Sequence, residues 1–183
     1  MDNNEAQESE DQPKGLAETA RLMVGTCFGL GYAPIAPGTA GALLGVVAFV
    51  LIVLLAPAHL QRWLIGAALL VSCYLTVVLS PWAERHWKKK DPGNYVLDEV
   101  AGFLVTVLLF RLPDPSDLTN LGLVVFWAFM VTRAIDIIKP PPARQLEALP
   151  QGWGILLDDI ASSLYAAGLL HVGVWLLPAW FGF

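Results

Sequence analysis

Residues 40–56 read AGALLGVVAFVLIVLLA, 17 consecutive residues with no charge and no strongly polar side chain. A helix that crosses a bilayer core needs about 20 apolar residues, with about 17 as the lower bound. The stretch sits at that bound, and it is not alone. Residues 63–81, 121–138 and 155–177 are also long and apolar enough to span. Residues 100–112 are shorter, and reach spanning length only by tilting, by starting deeper, or by using the polar start Leu97-Asp98-Glu99. A further apolar piece, 22–30, is too short to cross and suits an interfacial or re-entrant position.

The composition agrees. Of 183 residues 56% are hydrophobic and 15% charged, against roughly 25% charged in an average soluble domain, and the mean hydropathy is +0.58. These values exclude a disordered chain and a collagen-like repeat, and two cysteines are too few for a disulfide scaffold. Cys27 and Cys73 form no metal or redox motif and are expected to pack as small apolar groups. Six of the 16 acidic residues fall in the first 18 positions. Residues 1–18 therefore read as a disordered acidic tail, and 19–183 as a single membrane domain. The fold expected is an all-α polytopic helical bundle with about five spanning segments.

Orientation follows from Lys and Arg outside the spans, which favour the cytoplasmic side. With the N-terminus inside, that side receives Lys14, Arg21, Arg85, Lys88, Lys89, Lys90, Lys139 and Arg144, and the outside only Arg62 and Arg111. The run 85–90 reads as a juxtamembrane patch for anionic lipid headgroups. Nucleic acid is excluded as a partner, because no basic patch is interleaved with aromatics. The aromatic C-terminus, LPAWFGF, is expected outside as part of an interfacial belt.

This topology brings the acidic residues to one depth. Asp98 and Glu99 open one span, Asp136 closes another, and Asp158 and Asp159 are expected in the first turn of the last. Five carboxylates converging near the inner face would repel unless a cation relieved them. Hard oxygen ligands favour Mg²⁺ or Mn²⁺ over Zn²⁺. Arg133, Asp136 and Lys139 follow at i, i+3 and i+6 on one helical face, and Pro140-Pro141-Pro142 ends that helix. Two cations beside a carboxylate cluster suit a phosphate held between metal and protein. In the Gly/Pro-rich run 29–41, Thr39 reads as an N-cap, and Gly38 and Thr39 offer backbone donors to an anion at a helix start. Gly152-Trp153-Gly154 is expected to play a similar part ahead of Asp158. His171, about 20 Å along the helix from Asp158, lies too far away to share the site.

Four pieces carry a resemblance: APIAPGTAGALLG at 33–45, LDEVAG at 97–102, RAIDIIKPPP at 133–142 and GWGILLDDIA at 152–161. Together and in this order they resemble the phosphatidylglycerophosphatase A family, bacterial enzymes that dephosphorylate phosphatidylglycerophosphate to phosphatidylglycerol. The resemblance implies Mg²⁺ dependence, with Asp98, Glu99, Asp136, Asp158 and Asp159 as the acidic motif residues, Lys139-Pro140 as the Lys-Pro pair and Arg133 as the motif arginine. The Gly-Gly usual before the last motif reads Pro150-Gln151-Gly152 here, and Ala134 stands where a larger apolar residue is common.

The expected function is Mg²⁺-dependent hydrolysis of a lipid phosphomonoester at the cytoplasmic face of the bacterial inner membrane. The five carboxylates would hold the metal, and Arg133 and Lys139 the phosphoryl oxygens, with Gly38 and Thr39 assisting. Metal-activated water is the expected nucleophile, an aspartyl-phosphate the other route. Neither cysteine begins a C-x₅-R loop, and neither a paired-histidine nor a D-x-D motif is present. An ion-coupled transporter and a lipid-headgroup transferase are rival uses of the same carboxylates. The first usually shows repeat symmetry and a midplane site. The second usually carries an Asp-Gly…Ala-Arg run that this chain lacks.

Overall fold

The computed structural model describes residues 15–182. It is all-helical: α1 (Leu16–Gly25), a 3₁₀ turn (Leu30–Tyr32), α2 (Pro37–Leu55), α3 (Ala58–Trp87), α4 (Leu97–Leu109), α5 (Leu118–Ile138), α6 (Ala143–Leu146), α7 (Gly152–Leu176) and a closing 3₁₀ turn (Pro178–Phe181). Residues 1–14 of the expected tail lie outside the described residues, and 16–18 already belong to α1.

Four helices, α2, α3, α5 and α7, are long and apolar enough to cross a membrane. The expected fifth is different in kind. α4 has 13 residues, about 20 Å at 1.5 Å per residue, against a hydrocarbon core of about 30 Å. It does use the polar start Leu97-Asp98-Glu99, and all of it except Glu99, Leu108 and Leu109 is buried. A helix apolar on every side is stable only when surrounded, and α4 packs against α7, α2 and α3. Phe103 and Leu104 at its middle are fully buried, with Phe49 of α2 edge-on to the Phe103 ring at 6.2 Å. Four helices of spanning length thus surround a fifth, shorter segment that still runs from one end of the bundle to the other, its start beside the end of α3 and its last turn bonded to Arg62 at the start of α3. The outer helices turn Leu51, Trp63, Val71, Phe126 and Trp175 outward, as a lipid-facing surface requires.

Polar side chains close the helix ends far from the carboxylates. Gln61 donates to the carbonyls of Val53 and Ala56 at the end of α2, and Arg62 to that of Leu108 at the end of α4. Asp117 accepts from the Asn120 N–H at 2.9 Å and caps α5. At the same end His171 is bonded to the Ala167 carbonyl at 2.8 Å, well away from the acidic cluster. The C-terminal turn is more than an aromatic belt: Phe181 is buried, and Asn120 donates to its carbonyl at 3.0 Å. Cys27 is buried and Cys73 partly so, and neither is in a disulfide.

Because α4 begins where α3 ends and α7 begins where α5 ends, the start of α2, the end of α3, the start of α4, the end of α5 and the start of α7 meet at one end of the bundle. The 88–96 loop is pinned beneath them. The Val96 N–H donates to the Gly25 carbonyl, Asn94 Nδ2 to that of Gly31, and the buried Tyr95 hydroxyl to that of Thr76.

Candidate active site

At that end lies a pocket of about 180 Å³, lined by Pro37, Gly38, Asp91, Gly93, Tyr95, Val96, Asp98, Glu99, Arg133, Asp136, Lys139, Asp158 and Asp159. At roughly 30 Å³ per water, this is the space of about six waters, enough for a phosphate and a cation. All five carboxylates expected from sequence are on its wall, with both cations and Gly38. Thr39 is not.

Each group arrives by a distinct local device. Asp98 and Glu99 occupy the first turn of α4, and Asp136 the last turn of α5. Arg133, one turn earlier on α5, donates through Nη1 to Glu99 Oε2 and, at 3.0 Å, to Asp136 Oδ2. Lys139 follows α5 as its C-cap with φ 47°. A residue before proline is disfavoured in the right-handed helical region, so Pro140 ends the helix and turns Lys139 inward. Its ammonium is 2.6 Å from Asp158 Oδ2 and 3.8 Å from Glu147 Oε2. Burial works to lower the Lys139 pKa, but the bond to Asp158 and the charges of Asp158, Asp136 and Glu147 outweigh it. The group is held above the usual lysine range and stays charged.

Three expectations need correction. Asp158 and Asp159 are the seventh and eighth residues of α7, which begins at Gly152. They lie in its second turn, so attraction to the helix N-terminus does not account for them. Thr39 is not an N-cap: α2 starts at Pro37, with Ala36 at the cap position and no side-chain cap bond. The first bond of that turn runs from the Ala40 N–H to the Ala36 carbonyl. The N–H groups of Gly38 and Thr39 are thereby left without an intrahelical acceptor, as at any helix start. Gly152 and Gly154 do not face the pocket. A Cβ on Gly152 would collide with Ser80 and with Val77 Cα at 2.8 Å, and one on Gly154 would press on the Glu147 carbonyl at 2.9 Å. They are there for close packing. Gln151, which stands in the Gly-Gly position that the resemblance implies, takes φ 55° and ψ −151°, a backbone region that suits glycine.

Asp91 was not found from sequence. It lies on the pocket wall at φ 49°, and burial, opposed by Lys139 and reinforced by Glu147, raises its pKa. The signal was the turn DPGNY at 91–95, which delivers the chain from the basic run to the start of α4.

Six carboxylates against two cations line this pocket. Asp98 Oδ1, Asp136 Oδ1, Asp158 Oδ1 and Asp159 Oδ2 are buried without a hydrogen-bond partner among the described residues. Ligand oxygens of Glu99, Asp136 and Asp159 all lie within 4.8 Å of one another. Oxygens on opposite sides of a Mg²⁺ at 2.0–2.1 Å would be about 4.2 Å apart. The donor set therefore fits a hard divalent cation. It also separates the five: Glu99, Asp136 and Asp159 form the compact trio, Asp158 is engaged by Lys139, and Asp98 stands beside them with a free oxygen.

A family model described as Phosphatidylglycerophosphatase A matches residues 23–174. Phosphatidylglycerophosphatase A of Haemophilus influenzae is 34% identical over 154 residues, covering 82% of this chain and 86% of the relative. The Escherichia coli protein of the same name is 32% identical over 145 residues, covering 79% and 77%. A Bacteroides thetaiotaomicron protein provisionally named phosphatidylinositol-3-phosphatase is 31% identical over 156 residues, covering 85% and 94%. No solved structure matches the chain. The matched span contains every residue of the pocket, from Pro37 to Asp159, and the chain belongs to the phosphatidylglycerophosphatase A family.

Proposed function

We propose that this protein hydrolyses the terminal phosphomonoester of phosphatidylglycerophosphate, giving phosphatidylglycerol and phosphate, with Mg²⁺ as cofactor. The observation that carries the reading is the pocket itself: orphaned carboxylate oxygens and two fixed cations share one small space at a single end of an apolar bundle. A site at the helix ends also favours an enzyme acting on headgroups over a transporter with a midplane site. The Lys and Arg distribution supports a cytoplasmic location on the bacterial inner membrane.

Glu99, Asp136 and Asp159 would hold the metal, with Asp98 and Asp158 beside it, directly or through water. Bound there, Mg²⁺ would supply Lewis-acid stabilisation of phosphoryl oxygens and lower the pKa of a bound water. The remaining chemistry belongs to the chain. Arg133 and the Lys139 ammonium neutralise charge on the transferring phosphoryl group, while the Gly38 and Thr39 N–H groups add fixed donors at the start of α2. Water attacks phosphorus, the P–O ester bond breaks, and the proton that the attacking water loses ends on the departing alkoxide, giving the lipid hydroxyl and inorganic phosphate. Arg133, already bonded to Glu99 and Asp136, keeps the metal side and the phosphate side of the pocket in register.

The test is phosphate release by the purified protein from phosphatidylglycerophosphate, with Mg²⁺ and with EDTA. Release is expected with Mg²⁺ and not with EDTA. The name of the Bacteroides relative favours a second substrate, phosphatidylinositol 3-phosphate. Faster release from that lipid would replace the glycerophosphate headgroup in this proposal.

Gly38 gives a sharper test of geometry. A Cβ there would collide with Glu99 Oε1 and come within 3.2 Å of Arg133 Nη2. These are ends of flexible side chains, so Gly38→Ala is expected to keep its melting temperature. Displacing Glu99 and Arg133 should lower turnover by about 100-fold, the order of cost of a 1 Å misplacement. Wild-type turnover in this variant would mean that Glu99 and Arg133 are not positioned against α2 for catalysis.

A further inference from the structure

Beside the pocket lies an apolar groove of about 500 Å³ walled by Pro142, Ala161, Leu164, Tyr165, Gly168 and Leu169. We propose that this groove seats an acyl chain of the lipid whose phosphate occupies the pocket. The inference rests on the lipid-phosphatase reading and adds a second point of substrate contact to it.

The groove continues the site. Asp158, Ala161, Tyr165 and Gly168 recur along α7 at spacings of three, four and three, a single helical stripe. One end of the stripe is the carboxylate bonded to Lys139, and the other runs toward the middle of the bundle. Pro142 closes the near end of the groove, three residues beyond Lys139. The Tyr165 hydroxyl donates to the Pro141 carbonyl at 2.6 Å, tying α7 to the proline turn that aims Lys139 into the pocket. The same turn therefore helps to build both sites. A substrate with a doubly charged phosphate in the pocket must send its tails toward the membrane interior, and this groove leads there. Leu164, Tyr165 and Leu169 are each 44–53% exposed, leaving room for a chain to lie against them.

Bulk lipid is as apolar as the groove, so seating a tail there adds little binding free energy. What it adds is orientation: a tail held on α7 fixes how the headgroup enters the pocket. The consequence is a chain-length dependence of catalysis.

Gly168 makes this testable, because a Cβ there meets nothing within 4 Å. Gly168→Leu would set its Cβ clear of other atoms and extend the rest of its side chain into the groove, and it replaces a poor helix former with a good one. On dipalmitoyl phosphatidylglycerophosphate it is expected to lower kcat/KM about tenfold, and on the dihexanoyl lipid to leave it within about twofold. Leu169→Trp should act in the same direction from the neighbouring position. Gly122→Leu on α5, where an added Cβ also meets nothing, should change neither substrate. An equal effect on both chain lengths, or none, would overturn the groove as an acyl site while leaving the phosphatase reading intact. A change of oligomeric state in Gly168→Leu, read by size exclusion in detergent, would also overturn it, because the groove would then receive a second copy of the chain. If the wild-type protein releases phosphate from neither lipid, the phosphatase reading fails and the groove proposal with it.

Discussion

Asp159→Asn is expected to lower phosphate release by about a thousandfold at saturating Mg²⁺, the rate equivalent of the several kcal/mol that metal charge stabilisation supplies. Asp159 is 6% exposed, belongs to the compact oxygen trio with Glu99 and Asp136, and has a buried oxygen without a partner. An amide offers one neutral oxygen in place of a carboxylate, and its NH₂ group would face the neighbouring carboxylates. Binding should fail along with turnover. Mn²⁺ titrated into the purified protein and followed by electron paramagnetic resonance should bind to the wild type and much more weakly to the variant. Because the substitution removes a charge from a crowded acidic cluster, thermal stability without metal should hold or rise. Full turnover of Asp159→Asn, or of the wild type in EDTA, would remove the metal from the proposal.

Lys139→Ala should be the second large loss, about 100-fold or more, comparable to removing one preorganised donor from a site of developing charge. Lys139 is the only lysine among the described residues on the pocket wall, and its partner Asp158 has a side chain 3% exposed. Lys89→Ala is the informative comparison. Lys89 sits in the exposed basic run and is expected to cost less than about twofold, since a polybasic patch acts by recruiting anionic lipid. Equal losses in the two variants would mean that basic residues here gather substrate without stabilising the reaction. Lys139→Arg should recover part of the activity, because it keeps the charge while changing the reach. A melting curve separates a folding defect in Lys139→Ala from a catalytic one, since removing Lys139 leaves the buried Asp158 uncompensated.

Much of this site is legible in the sequence. Charge is scarce in this chain, so carboxylates at helix ends stood out, and the spans ordered them along the membrane normal. Seven charged residues expected at the site do line one pocket. Asp91 escaped because it lies in a loop, where no helical period relates it to the other acids. Its place depends on the 88–96 loop being tied to Gly25 and Gly31, contacts between segments some 60 to 70 residues apart in the chain. The glycines were misjudged for a related reason. Gly152 and Gly38 look alike in sequence, yet one is pressed against Ser80 of α3 and the other against Glu99 and Arg133. Only the neighbour distinguishes them.

By itself the sequence determined what periodicity and transfer energy govern: four apolar helices long enough to span, their order, and the end of the bundle that gathers the charge. These follow from local composition, because a membrane sorts residues by hydrophobicity before any helix meets another. The tertiary structure alone decided that α4 is a buried central helix and that Asp158 and Asp159 lie two turns into α7. It also decided which three carboxylates bring their oxygens within 4.8 Å of one another. Those outcomes depend on how helices pack side by side, and distances across a bundle are written in pairs of residues far apart in the chain.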